Sequence, residues 1–386
     1  MTLSSSIVPL SGSILEQACC DASPADAPRD SAVMAYADEP EPDPRTAPLP
    51  SPARLREQIA PSANSRRRIR AFRAEASELV HGKDERLLVI VGPCSIHDPE
   101  SALDYAERLL PLARRFSGEL FLCMRVYFEK PRTNGGWKGL INDPHLDDSC
   151  DLASGLSIAR RVLRDVAELG LPTATELLDP LVAPYLSDLL SWAAIGARTS
   201  ESQPHRELVS SLSLPVGFKN ATDGRTDSAV HAMQSARRPH TRVTTGDDGH
   251  VALERTRGNP STHLVLRGGE SGPNYEAPHV RGASERLAAL GLPKRVLVDC
   301  SHGNSRKDYR NQPLVCADVA EQVRAGGAGV LGVMIESHLV AGRQELGQSP
   351  RELVYGQSIT DACVDLDVTE RMLEGLARAQ SGLARL

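Results

Sequence analysis

From residue 87 onward, short strand-like runs alternate with longer helical patterns. Eight such runs occur, at residues 87–91, 121–126, 172–175, 193–197, 215–218, 263–266, 296–298 and 330–335. Neighbouring parallel strands need a long crossover connection, which is usually a helix, so this alternation predicts a parallel sheet with helices on its outside. The repeated strand–helix unit limits the possible folds more than any other feature of the chain.

A polar residue stands at or just after the end of each run. In chain order these residues are Cys94, Arg125, Glu176, Arg198, Lys219, Arg267, Asp299 with His302, and Glu336. In a (β/α)8 barrel the carboxyl ends of all strands meet at one face, where the active site is built, whereas a doubly wound sheet collects its polar residues at one switch point. The sequence therefore predicts an α/β protein with a (β/α)8 TIM barrel.

The segments around the eight runs predict two additions to the barrel. Residues 1–50 are rich in Ser, Ala, Pro, Asp and Glu and lack a core-forming period, which is typical of a flexible N-terminal extension. Residues 51–386 are predicted to form the catalytic barrel, beginning with a helix over 51–81. Between the fifth and sixth runs, two alternating segments within residues 241–256 flank a Gly-Asp-Asp-Gly turn and predict an inserted β-hairpin.

Composition excludes several classes of function. The net charge of −6 comes without a basic stripe, which argues against a nucleic-acid partner. No apolar stretch is long enough to span a membrane, and the N-terminus lacks a basic targeting region. The eight cysteines form no short repeating framework, so we expect reduced thiols and a cytoplasmic protein.

Cations cluster at the predicted carboxyl face of the barrel. They are Arg125, Lys130, Arg132, Arg198, Lys219 and Arg267. Because like charges in one cleft repel each other, the cluster predicts a ligand that carries both a carboxylate and a phosphate. Any single strand-end arginine can instead be structural, and Lys219 alone also allows a Schiff-base aldolase.

A second set of side chains has the chemistry of metal ligands. Its members are Cys94, His302, Glu336 and Asp361. One thiolate, one imidazole and two carboxylates suit a divalent transition ion such as Mn, Fe, Co or Zn, and are too rich in oxygen for a closed structural zinc site. Spacing alone leaves Cys94 open to a structural role, and it leaves His97, His145 and His338 as competing ligands.

Glu176 follows the third run as a carboxylate among cations. Such a group can orient a water molecule or act in acid–base catalysis, and it can equally be a salt-bridge partner. The residue type and position do not choose between these roles.

Seven segments together resemble the class I, metal-dependent, feedback-inhibited 3-deoxy-D-arabino-heptulosonate 7-phosphate synthases. They are GPCSIHDP at 92–99, MRVYFEKPRT at 124–133, GWKGLINDP at 136–144, GARTSESQ at 196–203, PVGFKN at 215–220, LRGG at 266–269 and GVMIESHL at 332–339. The resemblance extends from about residue 87 to residue 365. It implies that phosphoenolpyruvate condenses with D-erythrose 4-phosphate and water, the entry step of the shikimate pathway to chorismate and the aromatic amino acids.

The resemblance also implies roles for the candidate residues. The phosphoenolpyruvate carboxylate would be held by Arg125, Lys130 and Lys219, its phosphate by Arg198 and Arg267, and the sugar phosphate by Arg132 and Thr133. The metal ligands would be Cys94, His302, Glu336 and Asp361, with Mn as the expected ion and Fe, Co or Zn as alternatives. The metal would act as a Lewis acid on the aldehyde. Lys130, Glu176 and His302 would be the catalytic residues, with Glu176 orienting the water.

Regulation and assembly follow from the same resemblance. Leu208, Leu212 and Ser213 stand where relatives line an effector cavity, so an aromatic amino acid is an expected effector, and a homodimer or homotetramer is the expected assembly. Residues 1–50 and the hairpin turn at 246–249 depart from the family pattern. Two rivals stay open: the sister barrel that makes 3-deoxy-D-manno-octulosonate 8-phosphate from arabinose 5-phosphate, and a non-catalytic subunit that retains the fold.

The Lys-Pro-Arg-Thr segment at 130–133 predicts which sugar the enzyme uses. Because Pro131 is rigid, it holds the sugar-phosphate cations at one distance from the metal. We expect the purified enzyme to consume erythrose 4-phosphate far faster than arabinose 5-phosphate when phosphate release is measured with each sugar. Equal or reversed rates would contradict this interpretation.

Overall fold

The computed structural model describes residues 48–327, 329–347 and 349–383. The predicted extension over residues 1–50 lies outside the described residues except for its last three. The helices are α1 (Pro52–Gln58), α2 (Ala63–Val80), α3 (Pro99–Arg115), α4 (Leu152–Leu169), α5 (Ala183–Leu186), α6 (Gln203–Ser211), α7 (Asp227–Ala236), α8 (Ala277–Ala289), α9 (Gln312–Arg324) and α10 (Leu366–Leu383). The strands are β1 (Leu87–Gly92), β2 (Leu120–Arg125), β3 (Thr173–Glu176), β4 (Trp192–Ile195), β5 (Val216–Lys219), β6 (Thr241–Thr245), β7 (Val251–Arg255), β8 (Thr262–Leu266), β9 (Val296–Asp299), β10 (Val330–Glu336), β11 (Val340–Arg343) and β12 (Gln357–Ser358).

Eight parallel strands close into a barrel in the order β1-β10-β9-β8-β5-β4-β3-β2. Each of the eight predicted runs overlaps one of these strands, so the predicted (β/α)8 barrel is confirmed. Every residue of the eight strands is buried, which is typical of a parallel sheet that helices cover from outside. The carboxyl ends of all eight strands lie at one face of the barrel, and the candidate site residues are at this face.

Helix α2 covers the opposite, amino-terminal end of the barrel. Its Ala76, Leu79 and Val80 pack in one apolar cluster with strand residues such as Leu88 and Trp192. Helix α2 also forms hydrogen bonds with segments that precede strands. Arg73 donates to the carbonyl of Leu190 before β4, Ser77 meets Ser261 before β8, and the carbonyl of Leu79 accepts from Arg295 before β9.

The single helix predicted over residues 51–81 is wrong, since α1 and α2 are separate helices. Pro61 interrupts the helical pattern because it has no backbone N–H to donate and disfavours helical geometry in the residue before it. Ser62 then caps α2, its hydroxyl accepting from the amide of Ser65 at 3.1 Å.

The inserted hairpin is confirmed as the antiparallel pair β6–β7, which lies outside the barrel sheet. Side chains alternate between its two faces, because successive strand residues point in opposite directions. Arg242 is buried on one face, whereas Val243, Val251 and Leu253 are 75%, 83% and 67% exposed on the other. No helix in the described part of the chain has the length and apolar character that crossing a bilayer requires.

One acidic residue is buried where the loop after β2 meets the loop after β3. Glu129 lies against the backbone amides of Leu178 and Asp179. Burial, together with the charge of Asp179, raises the pKa of Glu129 to about 8. The folded chain therefore binds the Glu129 proton more tightly than the unfolded chain does. The contribution of this proton to the free energy of unfolding is fully present below pH ~4.5 and is lost as the pH rises toward ~8.

We expect Glu129→Gln to remove this pH dependence. Relative to wild type, the variant should gain of order 2 kcal/mol in free energy of unfolding between about pH 5 and about pH 7.5, as measured by urea denaturation. Glu107→Gln, on the exposed face of α3, is the matched control. Parallel pH profiles for wild type and Glu129→Gln would show that Glu129 is ionised in the folded protein.

Candidate active site

Strands β1 and β10 bring three potential metal ligands together. Glu336 ends β10 and pairs in register with Gly92, two residues before Cys94. Asp361 comes from the loop after β12. The ligand atoms of Cys94, Glu336 and Asp361 all lie within 4.8 Å of one another, with Cys94 Sγ 3.3 Å from Asp361 Oδ2. Gly92 allows this approach, because a Cβ there would lie 2.7 Å from the carbonyl oxygen of Arg125.

His302 stands beside this cluster in the loop after β9. Its backbone is left-handed (φ 55°), a conformation that is uncommon outside glycine and is often found at functional sites. Its Nε2 lies 4.0 Å from Glu336 Oε1, while Nδ1 faces Ser301 Oγ at 2.7 Å and Asp299 Oδ2 at 2.9 Å. The imidazole thus directs one nitrogen toward the carboxylate cluster and the other away from it.

The three competing histidines do not join the cluster. His97 and His338 are buried with their rings 6.2 Å apart, and the Nδ1 of His338 accepts from the amide of Leu339. His145 is half exposed and faces Asp151 at 4.0 Å. Among the described residues, the group of close ligand atoms consists of Cys94, Glu336 and Asp361 and contains no histidine. His302 differs from the other three histidines in that its Nε2 lies 4.0 Å from Glu336 of this group.

Burial and charge set the protonation of the cluster. Burial, together with the charge of Glu336, raises the pKa of the Cys94 thiol to about 12, although Lys130 offsets part of the rise. Burial also raises the pKa of Asp361, but Lys130 and His302 lower it more, to about 2. Cys94 is therefore a thiol at neutral pH without a metal, and binding an ion there would release its proton.

Two cations contact the same cluster. The buried guanidinium of Arg125 donates to Glu336 Oε1 at 2.8 Å and to the carbonyl of Cys94 at 3.1 Å. Lys130 Nζ lies 2.7 Å from Cys94 Sγ. Burial lowers the pKa of Lys130, but the contact with Cys94 and the negative charges of Asp361 and Glu336 raise it more, so the ammonium form is favoured. The predicted anion site and the predicted metal site are thus in direct contact.

Lys219 joins this network from β5. Its Nζ lies 3.3 Å from Glu176 Oε2 and 3.7 Å from Asp299 Oδ2. Burial raises the pKa of Glu176, but Lys219, Lys130 and Arg125 lower it more, so Glu176 is a carboxylate. An ionised Glu176 can orient a water molecule or accept a proton, and it is also the salt-bridge partner of Lys219.

Four further candidates lie toward the solvent at the barrel mouth. Arg132, Thr133 and Arg198 are exposed and Arg267 is partly buried. The guanidinium of Arg132 donates to the carbonyl of Trp137, and that of Arg198 to the carbonyl of Pro131 at 3.4 Å. In the described part of the chain, none of these three arginines forms a salt bridge, so their charge is available to an anionic ligand.

The predicted effector residues lie beside a cavity of about 490 Å³ behind the hairpin. Leu208 and Leu212 line it, opposite Arg242 and Glu254 of the hairpin. Ser213 is exposed and does not line the cavity, whereas Ser211 does. Arg242 and Glu254 pair at 2.8 Å, which places an ion pair between a buried arginine and a partly exposed glutamate in the cavity wall.

Two residues of the site were not assigned a role from the sequence. Tyr127 lies under both Arg125 and Lys219, its ring centre 3.6 Å from the Arg125 guanidinium carbon and 5.7 Å from Lys219 Nζ. Asp299, buried at the end of β9, faces both Lys219 and His302. The sequence contained a signal for each, since Tyr127 lies in the segment at 124–133 and Asp299 ends a strand.

Comparison with known proteins agrees with the geometry. Residues 63–374 match the model of the DAHP synthetase I family. The Tyr-sensitive phospho-2-dehydro-3-deoxyheptonate aldolase of Escherichia coli K12 is 49% identical over 334 residues, covering 86% of this chain and 94% of its own. The Phe-sensitive enzyme of the same organism is 50% identical over 328 residues, covering 85% and 93%.

A solved structure gives the same result. The phospho-2-dehydro-3-deoxyheptonate aldolase of Francisella tularensis SCHU S4 superposes with a TM-score of 0.86 at 46% identity, covering 88% of this chain and 98% of its own. At this level of identity and coverage, the chain belongs to the DAHP synthetase I family.

Proposed function

We propose how the residues at the barrel mouth divide the work of the reaction that the chain catalyses as a member of this family. Phosphoenolpyruvate condenses with D-erythrose 4-phosphate and water to give 3-deoxy-D-arabino-heptulosonate 7-phosphate and phosphate, the first step of the shikimate pathway. The observation that carries the proposal is the contact between Lys130 and Cys94, because it joins a cationic site for anions to a set of metal ligands.

Cys94, His302, Glu336 and Asp361 are the proposed metal ligands. The ligand atoms of Cys94, Glu336 and Asp361 lie close together, and His302 Nε2 is 4.0 Å from Glu336 Oε1. This mixture of sulfur, nitrogen and oxygen fits a divalent transition ion, and Mn is the ion we propose. When bound, the ion would supply Lewis acidity to the aldehyde of erythrose 4-phosphate.

The cations are proposed to bind the two substrates. Arg125 and Lys130, which contact the metal ligands, would hold the carboxylate of phosphoenolpyruvate together with Lys219. Arg198 and Arg267 would hold its phosphate, and Arg132 with Thr133 the phosphate of the sugar. Among the described residues, Arg132, Arg198 and Arg267 form no salt bridge. This supports the division, since a phosphate would supply the missing counter-charge.

Glu176, Lys130 and His302 are the proposed catalytic residues. The enol carbon of phosphoenolpyruvate forms the new carbon–carbon bond with the aldehyde carbon, and water adds to the resulting cationic centre before phosphate leaves. The carboxylate of Glu176 would orient that water, and it is kept ionised by Lys219. The ammonium group of Lys130 would lie between Cys94 and the bound carboxylate of phosphoenolpyruvate. His302, as a metal ligand, would help to hold the aldehyde near the enol carbon.

We expect Lys219→Ala to lower kcat/KM about a hundredfold or more, because a charged contact to a buried anion is worth about 2–4 kcal/mol. Lys294→Ala, which removes an exposed lysine, is the control and should leave kcat/KM unchanged. Wild-type activity should also survive borohydride treatment in the presence of phosphoenolpyruvate, since Lys219 is an ion-pair donor. Covalent trapping of substrate on Lys219 would contradict this and restore the Schiff-base alternative.

We expect chelation to abolish activity and Mn to restore it. Cys94→Ser should fold normally but bind little metal and turn over slowly, because a serine hydroxyl is a far weaker ligand than a thiolate. Cys150→Ser changes an exposed thiol outside the cluster and should match wild type in metal titrations and turnover. Full activity of Cys94→Ser, or of fully chelated enzyme, would remove the metal from the mechanism.

The cavity behind the hairpin is the proposed effector site, and the proposed effector is an aromatic amino acid. Relatives are described as Tyr-sensitive and Phe-sensitive. The wall formed by Leu208 and Leu212 can contact an apolar side chain, and the Arg242–Glu254 pair can contact the charged groups of an amino acid. Ser213 stays in the proposal only as an exposed neighbour that does not line the cavity.

We expect at least one of Phe, Tyr or Trp to inhibit turnover at submillimolar concentration. Ser211→Trp should fill the cavity and relieve inhibition without a matching loss of uninhibited activity. Ser213→Trp is the matched exposed variant and should remain inhibited. If none of the three amino acids inhibits, alone or combined, the cavity has no such effector; if only Ser213→Trp relieves inhibition, the site lies elsewhere.

Assembly and location complete the proposal. The exposed Val243, Val251 and Leu253 on the outer face of the hairpin support a homodimer or homotetramer, since an exposed apolar strip is typical of a subunit contact. Sedimentation velocity measures this assembly directly. The six cysteines of the described residues are free thiols, which supports a cytoplasmic location.

A further inference from the structure

A single buried carboxylate faces both halves of the active site. Asp299 is fully buried at the end of β9. Its Oδ2 lies 2.9 Å from Nδ1 of His302, on the metal side, and 3.7 Å from Nζ of Lys219, on the anion side. Burying an ionised carboxylate costs free energy unless it is paired with a donor or an opposite charge, and His302 and Lys219 are the neighbours that can provide this pairing.

The hydrogen bonds of Asp299 determine which nitrogen of His302 carries the proton. Ser301 donates to Asp299 Oδ1 twice, from its amide at 3.0 Å and from its hydroxyl at 2.6 Å. A carboxylate only accepts, so the hydroxyl proton of Ser301 points to Asp299, and its oxygen is left to accept from Nδ1 of His302 at 2.7 Å. The proton of the neutral ring is therefore on Nδ1, which leaves the Nε2 lone pair facing Glu336.

The second oxygen of the same carboxylate serves Lys219. Among the described residues, Asp299 Oδ2 is a buried atom without a hydrogen-bond donor in good alignment. Lys219 Nζ lies between this oxygen and Glu176 Oε2, above the ring of Tyr127. Two carboxylates on different strands thus fix the ammonium group at one place.

We propose that Asp299 is a positioning residue that holds His302 in the Nδ1–H tautomer and Lys219 in place, and so couples the metal half of the site to the anion half. The inference rests on the proposed roles of His302 and Lys219. Asp299 acts through these two side chains. Groups that orient a ligating histidine commonly affect metal affinity about 10–100-fold.

In the full-length enzyme, Asp299→Asn is compared with Ser301→Ala, His302→Gln and the control Asp308→Asn, which changes a partly exposed aspartate outside the site. Calorimetric titration of metal-stripped protein with Mn measures metal affinity, and steady-state kinetics at saturating Mn measure KM for phosphoenolpyruvate separately from kcat. We expect Asp299→Asn to weaken Mn binding about 10–100-fold and also to raise KM for phosphoenolpyruvate. Ser301→Ala should weaken Mn binding alone, because Ser301 does not contact Lys219, and Asp308→Asn should change neither.

Two results would overturn the inference, and a further measurement applies if the Asp299 variant does not fold. Mn affinity and KM within about twofold of wild type in Asp299→Asn would overturn the inference while leaving the metal assignment intact. Wild-type Mn binding in His302→Gln would overturn the assignment of His302 as a ligand, and the inference with it. If Asp299→Asn does not fold, nitrogen-15 shifts of the His302 ring in metal-free wild type decide: an Nδ1–H tautomer supports the inference, and an Nε2–H tautomer overturns it.

Discussion

The buried ion pair between Arg125 and Glu336 is the interaction on which the site depends. Both side chains are almost fully enclosed, and their closest atoms are 2.8 Å apart. The same guanidinium donates to the carbonyls of Pro93 and Cys94, so it holds the loop after β1 against the ends of β2 and β10. Removing one member of such a pair costs about 3–5 kcal/mol, because the other charge is left buried without a partner.

This pair belongs to a larger balance of charge around the barrel mouth. Three cations, Arg125, Lys130 and Lys219, face four carboxylates, Glu176, Asp299, Glu336 and Asp361. A bound divalent ion with a deprotonated Cys94 would bring this inner group to neutrality. Arg132, Arg198 and Arg267 would then be left to balance the two substrate phosphates. Charged groups that are fixed in this way do not need to reorganise during the reaction. Such electrostatic preorganisation is the source of much of the rate enhancement of enzymes.

Local patterns were enough to predict most of the fold. The strands of a buried parallel sheet and the turn of the hairpin have signatures within a few residues, so the eight barrel strands and the β6–β7 hairpin were predicted with boundaries one or two residues off. The break between α1 and α2 was missed, although Pro61 marks it, because the helical period continues on both sides. The short pair β11–β12 was also missed, since strands of four and two residues have too few positions for a period to appear.

The sequence by itself determined the barrel, the family and the types of residue at the strand ends, because each of these depends on local periodicity or on contiguous motifs. Only the tertiary structure decided which of those residues meet. Asp361 follows no barrel strand, yet it lies 3.3 Å from Cys94 across 267 positions of the chain. Asp299 faces Lys219 and His302 together because β5, β8 and β9 are neighbours in a closed sheet. Such distances depend on the closure and stagger of the whole barrel, which no short stretch of sequence encodes.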